Sequence, residues 1–160
     1  MIKDYTNKRP RFYVGETKSV YHTRQSLKDT ILVNRSEQIA NFLFTTYFDL
    51  QFAMKEYSGV IGLNRANKII LHEIISEGGK CGTVVDTRLI FPTLLIHGCT
   101  AFILWHNHPS DRLIPSDEDL KITKEVKEAG NFLNIRLLDH IILGENPSYY
   151  SFADEGKLIL

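Results

Sequence analysis

The chain has 160 residues, which is long enough to bury a hydrophobic core as one domain without disulfides. Its 19 basic and 19 acidic side chains give a formal net charge of zero, which argues against a strongly basic, nucleic-acid-attracting field. Cys81 and Cys99 form no CxxC pair, so a cysteine-ligated zinc finger is disfavoured, and we expect both to be reduced and buried in a cytoplasmic protein. The sequence begins without an apolar signal core, and no apolar run is long enough to span a membrane.

The first 35 residues differ from the rest in composition. Residues 1–35 are polar, with a basic first half, and we predict an N-terminal extension that packs on the edge of a domain formed by residues 36–160. An edge strand is predicted at 13–14 or 31–33. A partner-binding or nucleic-acid-binding arm is the alternative interpretation of this segment.

Apolar spacing predicts a helix, a hairpin and a second helix in the first half of the domain. Ser36 is the predicted N-cap of the first helix, in which apolar residues follow at helical spacing. Residues 56–76 are predicted to form a β-hairpin that turns at 64–67. The second helix is predicted over 86–97, kinked by a proline and ended by Gly98. Its predicted inward-facing residues are Leu89, Ile90, Leu94 and Leu95.

Strands and helices alternate in the second half. Residues 100–106 are nearly all apolar, which predicts a short central strand buried on both faces. Ser116 is predicted to open a third helix that ends at 129–130, where Gly130 takes a left-handed cap conformation. Further strands are predicted over 135–143 and 149–152. This order predicts an α/β fold of the mixed α+β kind, with a central mixed β-sheet flanked by helices.

Two histidines and an aspartate suggest a metal site. His106 and His108 are two residues apart at a strand end, so both side chains point to the same side. With the carboxylate of Asp119 they form a common catalytic zinc set, which leaves a fourth position for water. Ser116 and Asp119 also match a capping box, which explains these two residues without a metal. Both interpretations are compatible, because the first turn of the helix can present Asp119 to Zn²⁺.

The pattern His106-x-His108-x7-Ser116-x2-Asp119 resembles the JAMM signature of MPN+ metalloproteases. The longer text HNHPSDRLIPSDEDLKIT is similar to the RadC-like branch of that group, and the similarity covers about residues 36–155. It includes EYSGVIGLN, SEGG and DTRLIF upstream and IRLLDHII downstream. Asp111 stands where glycine is usual. We expect a stand-alone domain, since the helix-hairpin-helix region of longer RadC proteins is not found in these residues.

The resemblance implies a fold and a set of roles. The fold is JAMM/MPN-like, with the layered architecture also found in cytidine deaminases. Zinc is expected on His106, His108 and Asp119, and Ser116 is expected to hydrogen-bond the developing oxyanion.

The general base is expected to be a glutamate on an earlier strand. Glu56 fits by its order in the chain, because it precedes the first core strand after the long helix. Glu37, Glu73 and Glu77 remain alternatives.

The function implied is a zinc-dependent hydrolase of an amide bond, of metallopeptidase or isopeptidase type, with a peptide or protein substrate. The alternative is a non-catalytic DNA-repair accessory or protein-interaction scaffold of the RadC family. The complete ligand set favours the enzyme. Direct DNA binding is not expected from a neutral chain, no membrane partner is expected, and the sequence is compatible with a homo-oligomer.

Overall fold

Helices cover both faces of a five-stranded sheet in the computed structural model, which describes residues 31–47, 50, 52–79, 85–145 and 147–159. The helices are α1 (Ser36–Thr46), α2 (Thr87–Ile96) and α3 (Asp117–Phe132). The strands are β1 (Tyr57–Leu63), β2 (Ile69–Glu77), β3 (Ala101–Asn107), β4 (Arg136–Leu143) and β5 (Tyr149–Ser151), and a short 3-10 helix (Lys157–Ile159) follows. The predicted mixed α/β fold class is confirmed. None of the helices in these ranges has the length and apolar composition needed to cross a membrane.

The sheet has the order β2-β1-β3-β4-β5, with β3 in the middle. The β1–β2, β1–β3 and β4–β5 pairs are antiparallel, whereas β3 and β4 are parallel. Helix α3 makes the crossover between the two parallel strands. Its first turn therefore lies near the carboxyl end of β3, which is where open α/β sheets usually place their ligands.

Side chains of β3 alternate between two apolar layers, and every residue of the strand is buried. Ala101, Ile103 and Trp105 pack in the layer that includes α1. Phe102 and Leu104 pack in the layer that includes α2 and α3. Because successive strand residues point to opposite faces, the even-numbered position His106 falls on the α3 face.

Helix α3 continues beyond its predicted end. Gly130 lies inside the helix, and the left-handed residue is Asn134, with φ of 58°. A Cβ on Gly130 would lie 2.5 Å from the carbonyl oxygen of Ile135 and 3.1 Å from the ring of Phe102. The glycine thus permits close packing of α3 on the sheet instead of ending the helix.

The predictions for α1 and α2 need smaller corrections. The N-cap of α1 is Arg35, one residue before the predicted Ser36. In α2, Leu89 and Leu95 are each 52% exposed, because this ten-residue helix buries only a narrow stripe. Gly98, with φ of 65°, follows α2 as predicted.

Some predictions concern the chain before α1 and the cysteines. The possible strand at 13–14 lies outside the described residues, and at 31–33 only an isolated bridge from Leu32 to Lys68 forms. Cys99 is a free, buried thiol, and burial raises its pKa to about 11. Cys81 lies outside the described residues.

Candidate metal centre

The two histidines of the motif lie at the carboxyl end of β3. The backbone N–H of His108 donates to the carbonyl oxygen of Leu143 at 2.9 Å, so β3 stays against β4 one residue beyond the strand. His106 and His108 therefore point to the α3 face, and their Nε2 atoms are 2.9 Å apart. The predicted same-side arrangement of the pair is what the structure shows.

Asp119 is presented by the capping box at the start of α3. The Ser116 hydroxyl accepts from the Asp119 N–H at 3.1 Å, and Oδ2 of Asp119 accepts from the Ser116 N–H at 2.7 Å. The hydroxyl of Ser116 also donates to this carboxylate at 2.6 Å. The capping box and the candidate ligand are thus the same structure, since the helix start aims Asp119 at the histidines.

The loop between the histidines and α3 depends on Asp111, the position at which the sequence resemblance led us to expect glycine. Asp111 has φ of 56°, in the left-handed region that Asp tolerates better than most residues. Its N–H donates to the carbonyl oxygen of His108, and its carboxylate accepts from the Glu145 N–H at 2.8 Å. Asp111 therefore keeps the glycine-like backbone and ties the loop to the chain after β4.

The three side chains meet in one cluster that could hold a metal ion. Nε2 of His106 is 3.1 Å from Oδ1 of Asp119, and Nε2 of His108 is 3.5 Å from Oδ2. Ligands about 2.0–2.1 Å from a tetrahedral zinc ion stand roughly 3.3 Å apart, which is close to these separations. The Nδ1–H of His108 donates to the Arg112 carbonyl at 2.5 Å, so the neutral ring presents a lone pair on Nε2. Lone pairs that converge with a carboxylate are an arrangement that can coordinate a cation, and this group could hold a metal ion.

Charge coupling in the cluster is reflected in the pKa values. Burial alone raises the pKa of the Asp119 carboxyl, but the adjacent His106, His108 and Ser116 side chains lower it well below its usual range. Contact with the Asp119 carboxylate raises the pKa of His108. Burial lowers the pKa of His140, behind His106, well below the usual value. Asp119 is therefore ionised at neutral pH and available as an anionic ligand.

A cavity of about 300 Å³ adjoins the cluster and contains the candidate base. Its polar lining includes Glu56, His106, Asp119 and His140, and its apolar lining includes Val85, Leu104 and Ile122. The N–H of Glu56 donates to the carbonyl oxygen of Gly79, and its own carbonyl accepts from Gly78, which prolongs the β1–β2 pairing. Glu56 is half-buried, and its charge contributes to the raised pKa of His108.

The alternative glutamates lie elsewhere. Glu37 is exposed in the first turn of α1, and Glu73 is exposed on β2. Glu77 forms an ion pair with Lys55 at 2.5 Å. Among the described residues, none of these three lines the cavity that contains Glu56.

Asn107 is a buried polar residue of the site region to which the sequence assigned no role. Its Nδ2 donates to the carbonyl oxygens of Phe52 and Lys55, each at 2.9 Å, and its Oδ1 accepts from the Tyr57 N–H at 2.7 Å. These bonds tie the segment that carries Glu56 to the end of β3. Its position between two histidines was visible, but strand alternation turns it to the opposite face from them.

Thr123 and His140 were also missed. Nδ1 of His106 is 2.8 Å from Nε2 of His140, whose Nδ1 is 2.6 Å from the Thr123 hydroxyl oxygen. Two signals pointed to these residues. Thr123 lies four residues after Asp119 on α3, and His140 belongs to the IRLLDHII segment.

Ser58 supplies a separate indication of a ligand beside His106. The two residues are direct partners in the antiparallel β1–β3 pairing, so their side chains lie on the same face. Ser58 is 1% exposed, and its hydroxyl has no hydrogen-bond partner among the described residues. A buried hydroxyl without a partner commonly marks a water or ion that the protein atoms alone do not supply.

A mixed sheet between helices, with a His-His-Asp cluster at the end of its central strand, defines a JAB/MPN-like domain able to hold a metal ion. Residues 33–157 match the family model of the RadC-like JAB domain, and the chain belongs to this family, as the sequence resemblance predicted.

Three relatives illustrate the similarity, and all are named UPF0758 protein. The Flavobacterium johnsoniae protein is 50% identical over 61% of this chain and 42% of its own length. The Porphyromonas gingivalis protein is 44% identical over 65% of this chain and 46% of its own length. The Alkaliphilus metalliredigens protein is 36% identical over 79% of this chain and 53% of its own length. The chain spans about half the length of the curated relatives it matches.

Proposed function

We propose that this chain is a zinc-dependent hydrolase of amide bonds, of metallopeptidase or isopeptidase type, acting on a peptide or protein substrate. The observation that carries the proposal is the convergence of His106, His108 and Asp119 beside a cavity that Glu56 also lines. Membership of the RadC-like JAB family supports the same function.

Each residue of the site has a distinct task in this proposal. His106, His108 and Asp119 would hold a zinc ion, which would supply Lewis-acid activation of the attacking water. Glu56 accepts a proton from the attacking water and returns it to the leaving amine nitrogen.

The hydroxyl of Ser116 has a structural role and a catalytic role in this proposal. It donates to Asp119 at 2.6 Å as part of the capping box, and in the proposed reaction it turns toward the substrate to stabilise the oxyanion. One such donor is typically worth ~3–4 kcal/mol in the transition state.

The decisive experiment compares two glutamate variants. Glu56→Gln should bind zinc as the wild type does but lose about 10²–10⁴-fold in hydrolysis of an internally quenched peptide library, because the amide cannot accept the proton. Glu77→Gln is the matched control, since Glu77 lies in the neighbouring strand and pairs with Lys55 instead of lining the cavity. Unchanged hydrolysis by Glu56→Gln would remove Glu56 from the base role.

Metal content tests the other half of the proposal. The purified chain should bind one zinc ion, and His106→Ala should lose it. Failure of the wild-type chain to bind zinc would overturn the proposed function. Zinc binding without hydrolysis of any library peptide would instead favour the non-catalytic scaffold.

A further inference from the structure

A line of buried hydrogen bonds runs behind His106, on the side of the ring away from Nε2. The hydroxyl oxygen of Thr123 is 2.5 Å from the carbonyl oxygen of Asp119 and 2.6 Å from Nδ1 of His140. Nε2 of His140 is in turn 2.8 Å from Nδ1 of His106. Thr123, His140 and His106 are 2%, 1% and 4% exposed, so water does not compete freely for these contacts.

The donor and acceptor properties of these atoms allow only one direction of hydrogen-bond donation along the line. A backbone carbonyl oxygen can only accept, so Thr123 donates its single hydroxyl proton to Asp119. The Thr123 oxygen then accepts from His140, which places the proton of that neutral imidazole on Nδ1. Nε2 of His140 is left as an acceptor and takes the Nδ1–H of His106. His106 therefore presents a lone pair on Nε2 to the metal cluster.

The two histidines of the motif reach this state by different means. Nδ1 of His108 faces the carbonyl oxygen of Arg112, which accepts and never donates, so its tautomer needs no further support. Nδ1 of His106 faces another imidazole, which could either accept or donate. Along this line of described residues, the Thr123 hydroxyl, held by the Asp119 carbonyl, selects between the two directions.

We propose that Thr123 and His140 are positioning residues that hold His106 in the tautomer whose Nε2 binds the metal ion. The inference rests on the proposed zinc site. It also links the ligands to each other, since the backbone of Asp119 begins the line that ends on the ring of His106. Partners that orient metal-binding histidines in this way are typically worth 10–100-fold in metal affinity.

Replacing Thr123 with valine removes the hydroxyl with little change in side-chain shape, and so tests whether the line of hydrogen bonds supports zinc binding. Thr123→Val should lower zinc affinity about 10–100-fold, measured by competition with a chromophoric chelator, whereas Thr123→Ser should stay within about threefold of wild type. Thr93→Val is the matched control on α2, where a threonine hydroxyl also donates to the carbonyl four residues back, at 3.0 Å from Leu89. This control should leave zinc affinity unchanged, as Thr93 contacts no residue of the cluster through its hydroxyl.

A second measurement reads the tautomer directly in the zinc-free wild-type chain. Long-range ¹H–¹⁵N NMR should show the proton of His106 on Nδ1 at neutral pH, and Thr123→Val should give a mixture of tautomers. His140→Phe, which can still stack on Phe152, should weaken zinc binding like Thr123→Val and serves if that variant does not fold.

The outcomes separate this inference from the function on which it rests. Wild-type zinc affinity in Thr123→Val, or a His106 proton on Nε2 with Nδ1 bare, overturns the positioning role. Lack of zinc binding by the wild type contradicts the proposed function, while the NMR result still decides the tautomer.

Discussion

Asp139, which is buried, and Asp119, which is partly buried, lie in two different polar clusters. Comparing the clusters distinguishes a carboxylate that holds the fold together from one available to a ligand. Asp139 receives four hydrogen bonds. Its Oδ1 accepts from the N–H groups of His140 and Ala153, and its Oδ2 accepts from the hydroxyls of Ser36 and Ser151. Every acceptor faces a donor of the chain, and the cluster ties α1, β4 and β5 together.

The Asp119 cluster, in contrast, contains more hydrogen-bond acceptors than donors. The carboxylate accepts from the N–H and hydroxyl of Ser116 through Oδ2, but Oδ1 faces Nε2 of His106. Both histidine rings use their Nδ1–H groups elsewhere, so their Nε2 atoms add lone pairs to an anion. A polar cluster with balanced donors is complete within the chain, whereas one with surplus acceptors could hold a cation, as proposed here for zinc.

The largest expected effect is the loss of zinc affinity when the negative charge of Asp119 is removed. Asp119→Asn keeps an oxygen for the capping box but removes the negative charge, so zinc affinity should fall about 10³-fold, or roughly 4 kcal/mol. Zinc at about 100 times its dissociation constant should add about 2.7 kcal/mol to the free energy of unfolding of the wild type and far less to that of the variant. Chelator competition and urea unfolding measure the two quantities. Equal zinc affinity in both proteins would contradict the ligand role.

Substitutions at Asp139 should lower the stability of the protein but not its affinity for zinc. Asp139→Ala removes the acceptor of two N–H groups and of two hydroxyls, although the Ser36 hydroxyl retains Asp154 at 3.1 Å, so the free energy of unfolding should fall by about 3 kcal/mol. Asp139→Asn retains one acceptor oxygen and should lose about 1–2 kcal/mol. Zinc affinity of the folded fraction should stay within about threefold of wild type, because Asp139 bonds the backbone N–H of His140 and no zinc ligand, and the 10–100-fold losses come from partners of the ligands themselves. A tenfold loss of zinc affinity would show that the two clusters are coupled.

The sequence predicted much of the site because local spacing determines it. Two residues of separation on a strand place His106 and His108 on one side, and a capping box at a helix start presents Asp119. The role of Gly130 was not predictable, because it depends on the distance between α3 and the sheet. The contacts of Thr123 and His140 likewise join three separate elements, and periodicity indicates which face a residue occupies but not which residue lies opposite.

Gly130→Ala tests how far the metal cluster depends on the packing of α3. Alanine favours a helix by about 1 kcal/mol, yet the new Cβ would crowd the Ile135 carbonyl and the Phe102 ring. We expect a net loss of about 2 kcal/mol in the free energy of unfolding, measured by urea denaturation. Zinc affinity should also fall, because α3 carries Asp119. The Asp139 cluster should be less affected, because Asp139 lies on β4. Lys124→Ala, at an exposed position of α3, is the control and should change stability by less than about 0.5 kcal/mol.

The smallest expected effects compare the two serines whose hydroxyls contact these aspartates. Ser36 donates to Asp139 at 2.9 Å, and Ser116 donates to Asp119 at 2.6 Å. Replacing either with alanine should lower the free energy of unfolding by about 1 kcal/mol, through a lost hydrogen bond in one case and a lost N-cap in the other. Added zinc should stabilise Ser36→Ala as it does the wild type, but it should stabilise Ser116→Ala less, because the Ser116 hydroxyl hydrogen-bonds the ligand Asp119. A Ser36→Ala variant with undiminished stability would mean that the Ser151 hydroxyl and the two N–H groups alone satisfy Asp139, so that the balance there does not depend on α1.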